Sequence, residues 1–225
     1  MISLEGWRRF NIWDHSPTVL ELYTRRARKQ AEEMTCAAQA AELLAGISRP
    51  GEALLDVGCG TGYFFHSLRD RGLELEYFGI DATARFIEVG RAILPGFGLA
   101  PERLVAARIE DLDGAVDHVL CMNVLSNIDN YHRALERMLV VARKSVILRE
   151  SIKDGAEYRY VVDRFLESEA PLKVHVNAYD RREITSFIES YGFAVQEVGD
   201  RRAAGRPELV IGYPHYWTFL VATRR

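Results

Sequence analysis

The chain has 225 residues, 48% of them apolar and 27% charged, with a net charge of −3. That length supports one α/β domain with a substantial core. The slight acidic excess argues against a nucleic-acid reader, which ordinarily carries a basic surplus, and Cys36, Cys59 and Cys121 show neither metal spacing nor CxxC pairing.

Residues 17–47 carry a helical pattern, with Ser16 as the cap and Pro17 in the first turn. The basic run Arg25-Arg26-Arg28-Lys29 reads as a solvated face balanced by Glu32 and Glu33. After Pro50-Gly51 the chain alternates between periods. Strands are expected at 53–58, 75–80, 103–107, 116–121, 144–149, 193–198 and 216–223. Helices fit at 62–71, 83–93, 129–142 and 180–191. Such alternation predicts a mostly parallel sheet with helices on both faces. Residues 199–215 form an Arg-, Gly- and Pro-containing loop with no long helix, so the last two strands are expected to be antiparallel. The reading is one domain over 1–225, with a helical cap at 1–48 and an insertion at 150–179 on the substrate side.

The most informative segment is Leu54-Leu55-Asp56-Val57-Gly58-Cys59-Gly60-Thr61-Gly62. A buried strand ends at an acid, and glycines follow at alternate positions. Glycines so spaced permit a tight turn and the approach of a ligand to bare backbone, with an anion at the free N–H groups of the next helix. The dinucleotide fingerprint requires a third glycine at position 63, which is Tyr63. That departure counts against an NAD-dependent enzyme. Asp81, at the end of the second strand, stands where an acid can accept hydrogen bonds from ribose hydroxyls.

The segment resembles the first motif of the class I S-adenosylmethionine-dependent methyltransferases. The specific resemblance covers about residues 50–150, and the remainder follows by topology. It implies a Rossmann-like seven-stranded sheet of order 3-2-1-4-5-7-6 with an antiparallel last strand. It implies S-adenosylmethionine as cofactor, held by Asp56, Gly58, Cys59, Gly60 and Gly62 of the loop and by Asp81 and Ala82. Ile109 would present a backbone N–H to adenine and Glu110 a side chain, with Asp111 as the alternative acid. Relatives often place an acid where this chain has Arg108. Met122 and Asn123, beside Cys121, would wall the methionine part. Cys59 and Cys121 read as packing residues.

No substrate motif of a specific kind follows the fourth strand, where Asn123-Val124-Leu125-Ser126 stands. No metal site is expected. Substrate residues should come from the aromatic segment Trp7–His15, from the insertion, and from Tyr213–Trp217. These segments supply the candidate bases His15, His175 and His215, while His66, His118 and His132 read as scaffold. Arg149 and Glu150 are expected to face the site; Arg149, Arg159, Arg181, Arg182, Arg201 and Arg202, near the proposed lid, could pair with a phosphate or carboxylate, although most read as solvated. The expected reaction is methyl transfer to oxygen or nitrogen of a small polar metabolite, such as a sugar or phosphate-bearing compound. The alternatives are a methyltransferase acting on RNA or protein and, behind it, a non-catalytic nucleotide-binding module. The absence of a membrane-length apolar run and of a signal-peptide core predicts a cytoplasmic protein; the expected partner is a small molecule, with no membrane or nucleic acid, and the expected state is a monomer or homodimer.

Overall fold

The computed structural model describes residues 12–163 and 172–225. Seven strands, β1 (Ala53–Val57), β2 (Glu76–Asp81), β3 (Leu104–Ala106), β4 (Val116–Met122), β5 (Ala142–Lys153), β6 (Phe193–Gly199) and β7 (Trp217–Arg224), form the main sheet. Their order is 3-2-1-4-5-7-6, as the resemblance implies. β7 runs antiparallel to both β5 and β6, while β1 to β5 pair in parallel. An addition not expected from the sequence is the short strand Tyr179–Asp180, which extends the sheet beside Ile152 and Lys153 of β5.

The central strands are apolar on both faces because helices cover both. Val119 and Cys121 of β4, Val146 and Leu148 of β5 and Leu220 of β7 pack under α5 (Tyr131–Val141) and α6 (Arg181–Ser190). The alternate residues Leu120, Ile147 and Phe219 point the other way. There they meet α2 (Thr35–Ala45), α3 (Phe64–Asp70) and α4 (Ala84–Ile93). Asn130 and Asp180 cap α5 and α6 by accepting backbone N–H groups of the first turn. Among the described residues no helix is long and apolar enough to cross a membrane.

The expected single helix over 17–47 is two helices. Ser16 does cap α1 (Pro17–Ala27), accepting from the Val19 N–H at 3.2 Å. The helix then closes with Lys29 in the left-handed region, φ +55°. The Gln30 N–H returns to the Arg25 carbonyl at 2.8 Å, a Schellman closure without the usual glycine. The break frees α1 to lie over the glycine loop, while α2 buries Cys36, Ala40, Ala41 and Leu44. A second difference is the hairpin of Glu208–Val210 and Tyr213–His215 inside the expected loop.

At the amino ends of the strands, Glu52 accepts from Lys144 at 2.5 Å and contacts His118 Nε2 at 2.7 Å. His118 is fully buried, with Nδ1 at 2.8 Å from Ser145 Oγ, so it belongs to the scaffold as expected. Lys144 first, then His118, hold the Glu52 carboxyl down to about 2 from 4.5. A depressed carboxyl stabilises the fold fully above its unfolded value, and that stabilisation fades as pH falls through the folded one. The stability advantage of the wild type over Glu52→Gln is therefore expected to shrink between pH 4.5 and about 2. Urea unfolding across that range measures it, and a constant difference would remove Glu52 from the acid response.

Candidate active site

The glycine loop leaves β1 with Gly58, Gly60 and Gly62 at φ +73°, +59° and +77°. Side chains other than glycine rarely adopt that region, so the turn requires these residues. The space beside each glycine is filled differently from expectation. A Cβ on Gly58 would meet Val124 Cγ2 at 2.2 Å, and one on Gly60 would meet the Tyr23 ring at 2.8 Å. One on Gly62 would meet Leu104 at 2.8 Å. Protein rather than open space lies against these glycines.

Four of the loop's N–H groups are likewise committed. Those of Gly58 and Cys59 donate to the Ile80 carbonyl at 2.8 and 2.9 Å, and that of Gly62 to the Cys59 carbonyl at 2.9 Å. Gly60 N–H donates to Asp81 Oδ2 at 2.9 Å. Thr83 N–H donates to Asp81 Oδ1 at 2.7 Å. Asp81 thus ties the ends of β1 and β2 together and starts α4. Its carboxylate remains half-buried, and each oxygen retains a further lone pair. Burial raises its pKa.

Asp56 departs from the expected ligand contact. It is 4% exposed and accepts the Tyr77 hydroxyl at 2.7 Å. Burial pushes its carboxyl up to about 7. Cys59 and Cys121 are buried, as packing residues should be. Ala82 is exposed beyond Asp81. Ile109 opens a one-turn helix, Ile109–Asp111, where Glu110 lies 3.4 Å from Arg108 Nε. Met122 and Asn123 are half-buried at the end of β4. Asp81, Ile109, Glu110, Met122 and Asn123 therefore gather at the carboxyl ends of adjoining strands, the usual ligand crevice of an open α/β sheet.

Asn123 holds φ +60°, an unusual backbone for a residue other than glycine. Its side chain accepts from Arg149, whose Nε donates to Asp200 Oδ2 at 2.7 Å. Arg149 and Asp200 are both buried, and the guanidinium lies 4.4 Å from the Trp217 ring centre. Glu150, expected to face a ligand, is fully buried instead. It accepts the N–H groups of Val124, Leu125 and Ser126, each at 2.9 Å, and the Ser126 hydroxyl at 2.7 Å. It fastens the turn after β4, and through Val124 that turn packs on Gly58. Burial raises its pKa.

The expected substrate segments do converge, although Trp7–Asn11 lies outside the described residues. Trp13, Ser16 and Val19 meet Val174 and Val176 of the insertion around a cavity of about 180 Å³. The hairpin contributes Val210, Ile211 and His215, and Asn127 and Asp163 complete the lining. Asn127 joins this cavity to the β4 turn by donating its amide to the Asn123 carbonyl at 2.8 Å.

Of the candidate bases, His215 alone lines the cavity. His15 is exposed, and His175 stacks on Tyr160 with centroids 4.6 Å apart. His215 is 2% exposed and stacks on Trp217 at 4.7 Å. Its Nδ1 lies 3.1 Å from the Tyr213 carbonyl, which only accepts, so Nδ1 carries the proton and Nε2 is bare in the neutral ring. Burial lowers its pKa, which keeps the ring neutral. Most of the expected phosphate-binding arginines are engaged elsewhere. Arg149 pairs with Asp200, Arg159 with Glu157, Arg181 with Glu197, Arg201 with Glu42 and Arg202 with Glu208.

Comparison with known proteins agrees with this architecture. Residues 55–145 match the family described as "Methyltransferase domain". A malonyl-[acyl-carrier protein] O-methyltransferase of Serratia marcescens is 28% identical over 137 residues, 60% of this chain and 50% of that protein. The chain thus spans about half the length of that curated relative. Magnesium protoporphyrin IX methyltransferase of Synechocystis, solved with bound SAH, shares the fold at TM-score 0.61 and 15% identity, over 97% of this chain and 93% of that one. An S-adenosylmethionine-dependent methyltransferase from Clostridium acetobutylicum does so at 0.62 and 12%, over 95% and 99%. The motif-bearing half carries the sequence match, and the whole described sheet carries the structural one. Residues 55–145 thus carry a methyltransferase-domain match, and the described sheet has the fold of the S-adenosylmethionine-dependent methyltransferases that the sequence resembles.

Proposed function

We propose that this chain transfers the methyl group of S-adenosylmethionine to an oxygen or nitrogen of a small molecule bound in the cavity beside His215. The observation that carries this reading is the convergence of the N-terminal segment, the insertion and the hairpin on one cavity, joined through Asn127 to the end of β4. When bound, the cofactor supplies a methyl group made electrophilic by its sulfonium sulfur. Asp81 and Ala82 would meet the ribose. Ile109 and Glu110 would meet adenine, and Met122 and Asn123 the methionine part, beside Gly58 and Gly60. Asp56 and Cys59 support this crevice from beneath.

The protein's task is then alignment, exclusion of water and removal of one proton. The crevice residues would hold the cofactor, and the cavity walls would hold the acceptor atom in line with its methyl group and clear of water. His215 Nε2 receives the acceptor's proton. Calorimetric titration with S-adenosylmethionine, followed by assay of released S-adenosylhomocysteine, tests the reading. His215→Gln is expected to keep cofactor affinity and to lose about 10²–10⁴-fold in turnover of a hydroxyl acceptor. Unchanged turnover removes the base assignment. A folded wild type that fails to bind the cofactor refutes the reaction.

A further inference from the structure

The acceptor cavity has a chemistry of its own, and the inference from it rests on the methyltransferase reading above. Its apolar walls are Trp13, Val19, Val174, Val176, Val210 and Ile211, and Ser16, Asn127, Asp163 and His215 supply its polar atoms. No arginine or lysine lines it among the described residues, and its acid, Asp163, is 6% exposed. A phosphate or carboxylate placed there would lose its hydration with no cation among the described lining residues to replace it. A sugar would find Ser16, Asn127, Asp163 and His215 for some of its hydroxyls and would press the rest against valine and isoleucine. The volume, about 180 Å³, slightly exceeds the roughly 150 Å³ of a cavity that admits benzene.

An independent observation comes from the hairpin tip. Val210 pairs with Tyr213, so the turn is the two residues Ile211-Gly212, with φ +47° and +83°. Two positive φ values mark the tight hairpin turn that prefers Asn-Gly. A β-branched side chain is strongly disfavoured there. Local strain of this kind collects at ligand clamps. Ile211 is a poor turn residue, yet it packs with Val174 and Val176 and faces the cavity. The position therefore favours an apolar wall over a relaxed turn.

We infer that the acceptor is a small, uncharged, one-ring compound of the phenol class, its apolar body held by these walls and its single hydroxyl directed at His215 Nε2. The test uses p-cresol and glucose 6-phosphate as probes, with binding followed by ligand-observed NMR on the intact chain without cofactor. p-Cresol is expected to bind and glucose 6-phosphate to remain free. Ile211→Asn supplies the preferred turn pair, so its melting temperature should hold or rise while p-cresol affinity falls at least tenfold. Val176→Trp, which fills the cavity, should also abolish binding. Binding of glucose 6-phosphate in place of p-cresol, binding of neither, or p-cresol binding unchanged in both variants overturns the inference. Because cofactor binding is titrated separately, loss of the acceptor class leaves the methyltransferase reading standing, and the converse also holds.

Discussion

Arg149→Ala is expected to destabilise the fold by about 3–5 kcal/mol, the usual cost of removing one partner of a buried ion pair. Arg149 and Asp200 lie 2.7 Å apart with 4% and 0% of their side chains exposed. Without the guanidinium, Asp200 retains the Ala203 N–H at 2.8 Å but no counter-charge. Trp217 loses its cationic neighbour, and Asn123 loses the donor that orients its side chain. In a chain of this size the melting temperature should drop by roughly 10 °C. A paired replacement separates charge burial from lost packing. Arg149→Met with Asp200→Asn keeps the volume and the acceptor for Ala203 while removing both charges, and it should recover most of the loss. A single variant within about 1 kcal/mol of wild type, or a double variant no better than the single, would show that the pair carries no such weight.

Much of the scaffold was legible because its signals are local. β1, β4 and β5 each carry an apolar run, and their alternate residues do divide between two cores. Ser16-Pro17 marks the start of α1 by a mechanism that needs no tertiary information. The end of that helix was not legible. Lys29 occupies the left-handed closing position where glycine is the usual sign, and its ammonium is tied to Asp70 at 2.6 Å, a residue distant in sequence. The hairpin at 208–215 was hidden for the same kind of reason, because Ile211 stands where the turn prefers asparagine.

In the site, residue types were legible and their partners were not. Asp81 follows from its place at a strand end. That it also accepts Gly60 N–H requires the two loops to be seen together. Glu150 was expected to face the ligand because it ends a strand near the crevice. Each strand residue points to one face or the other, and the three N–H groups of the β4 turn capture this one. Asp200 has no motif around it at all, and only the crossover of β6 and β7 brings it to Arg149. Tyr23 falls within the helical pattern of residues 17–47. Its ring over Gly60, and its carbonyl accepting the Thr61 hydroxyl at 3.0 Å, depend on how α1 docks.

Gly58→Ala is expected to disrupt the cofactor crevice more than alanine at either other glycine of the loop. The left-handed backbone, φ +73°, costs a side chain about 1–2 kcal/mol. The new Cβ would also lie 2.2 Å from Val124 Cγ2, far inside contact distance. At Gly60 the obstacle is a Tyr23 ring carried on a separate helix, which can yield by moving α1. Val124 has no such freedom. Its backbone N–H is held by Glu150, and its branched side chain has few rotamers. Overpacking of this kind adds about 1–3 kcal/mol, so the loop should shift away from β4. Affinity for S-adenosylmethionine should then fall at least tenfold, read by calorimetry at a temperature where circular dichroism shows the variant folded. Adding Val124→Ala removes the obstructing methyl groups and leaves the backbone strain. The double variant should therefore recover part of the affinity but not all of it. Full affinity in Gly58→Ala would mean that the loop does not meet the cofactor, and no recovery in the double variant would place the whole defect in the backbone.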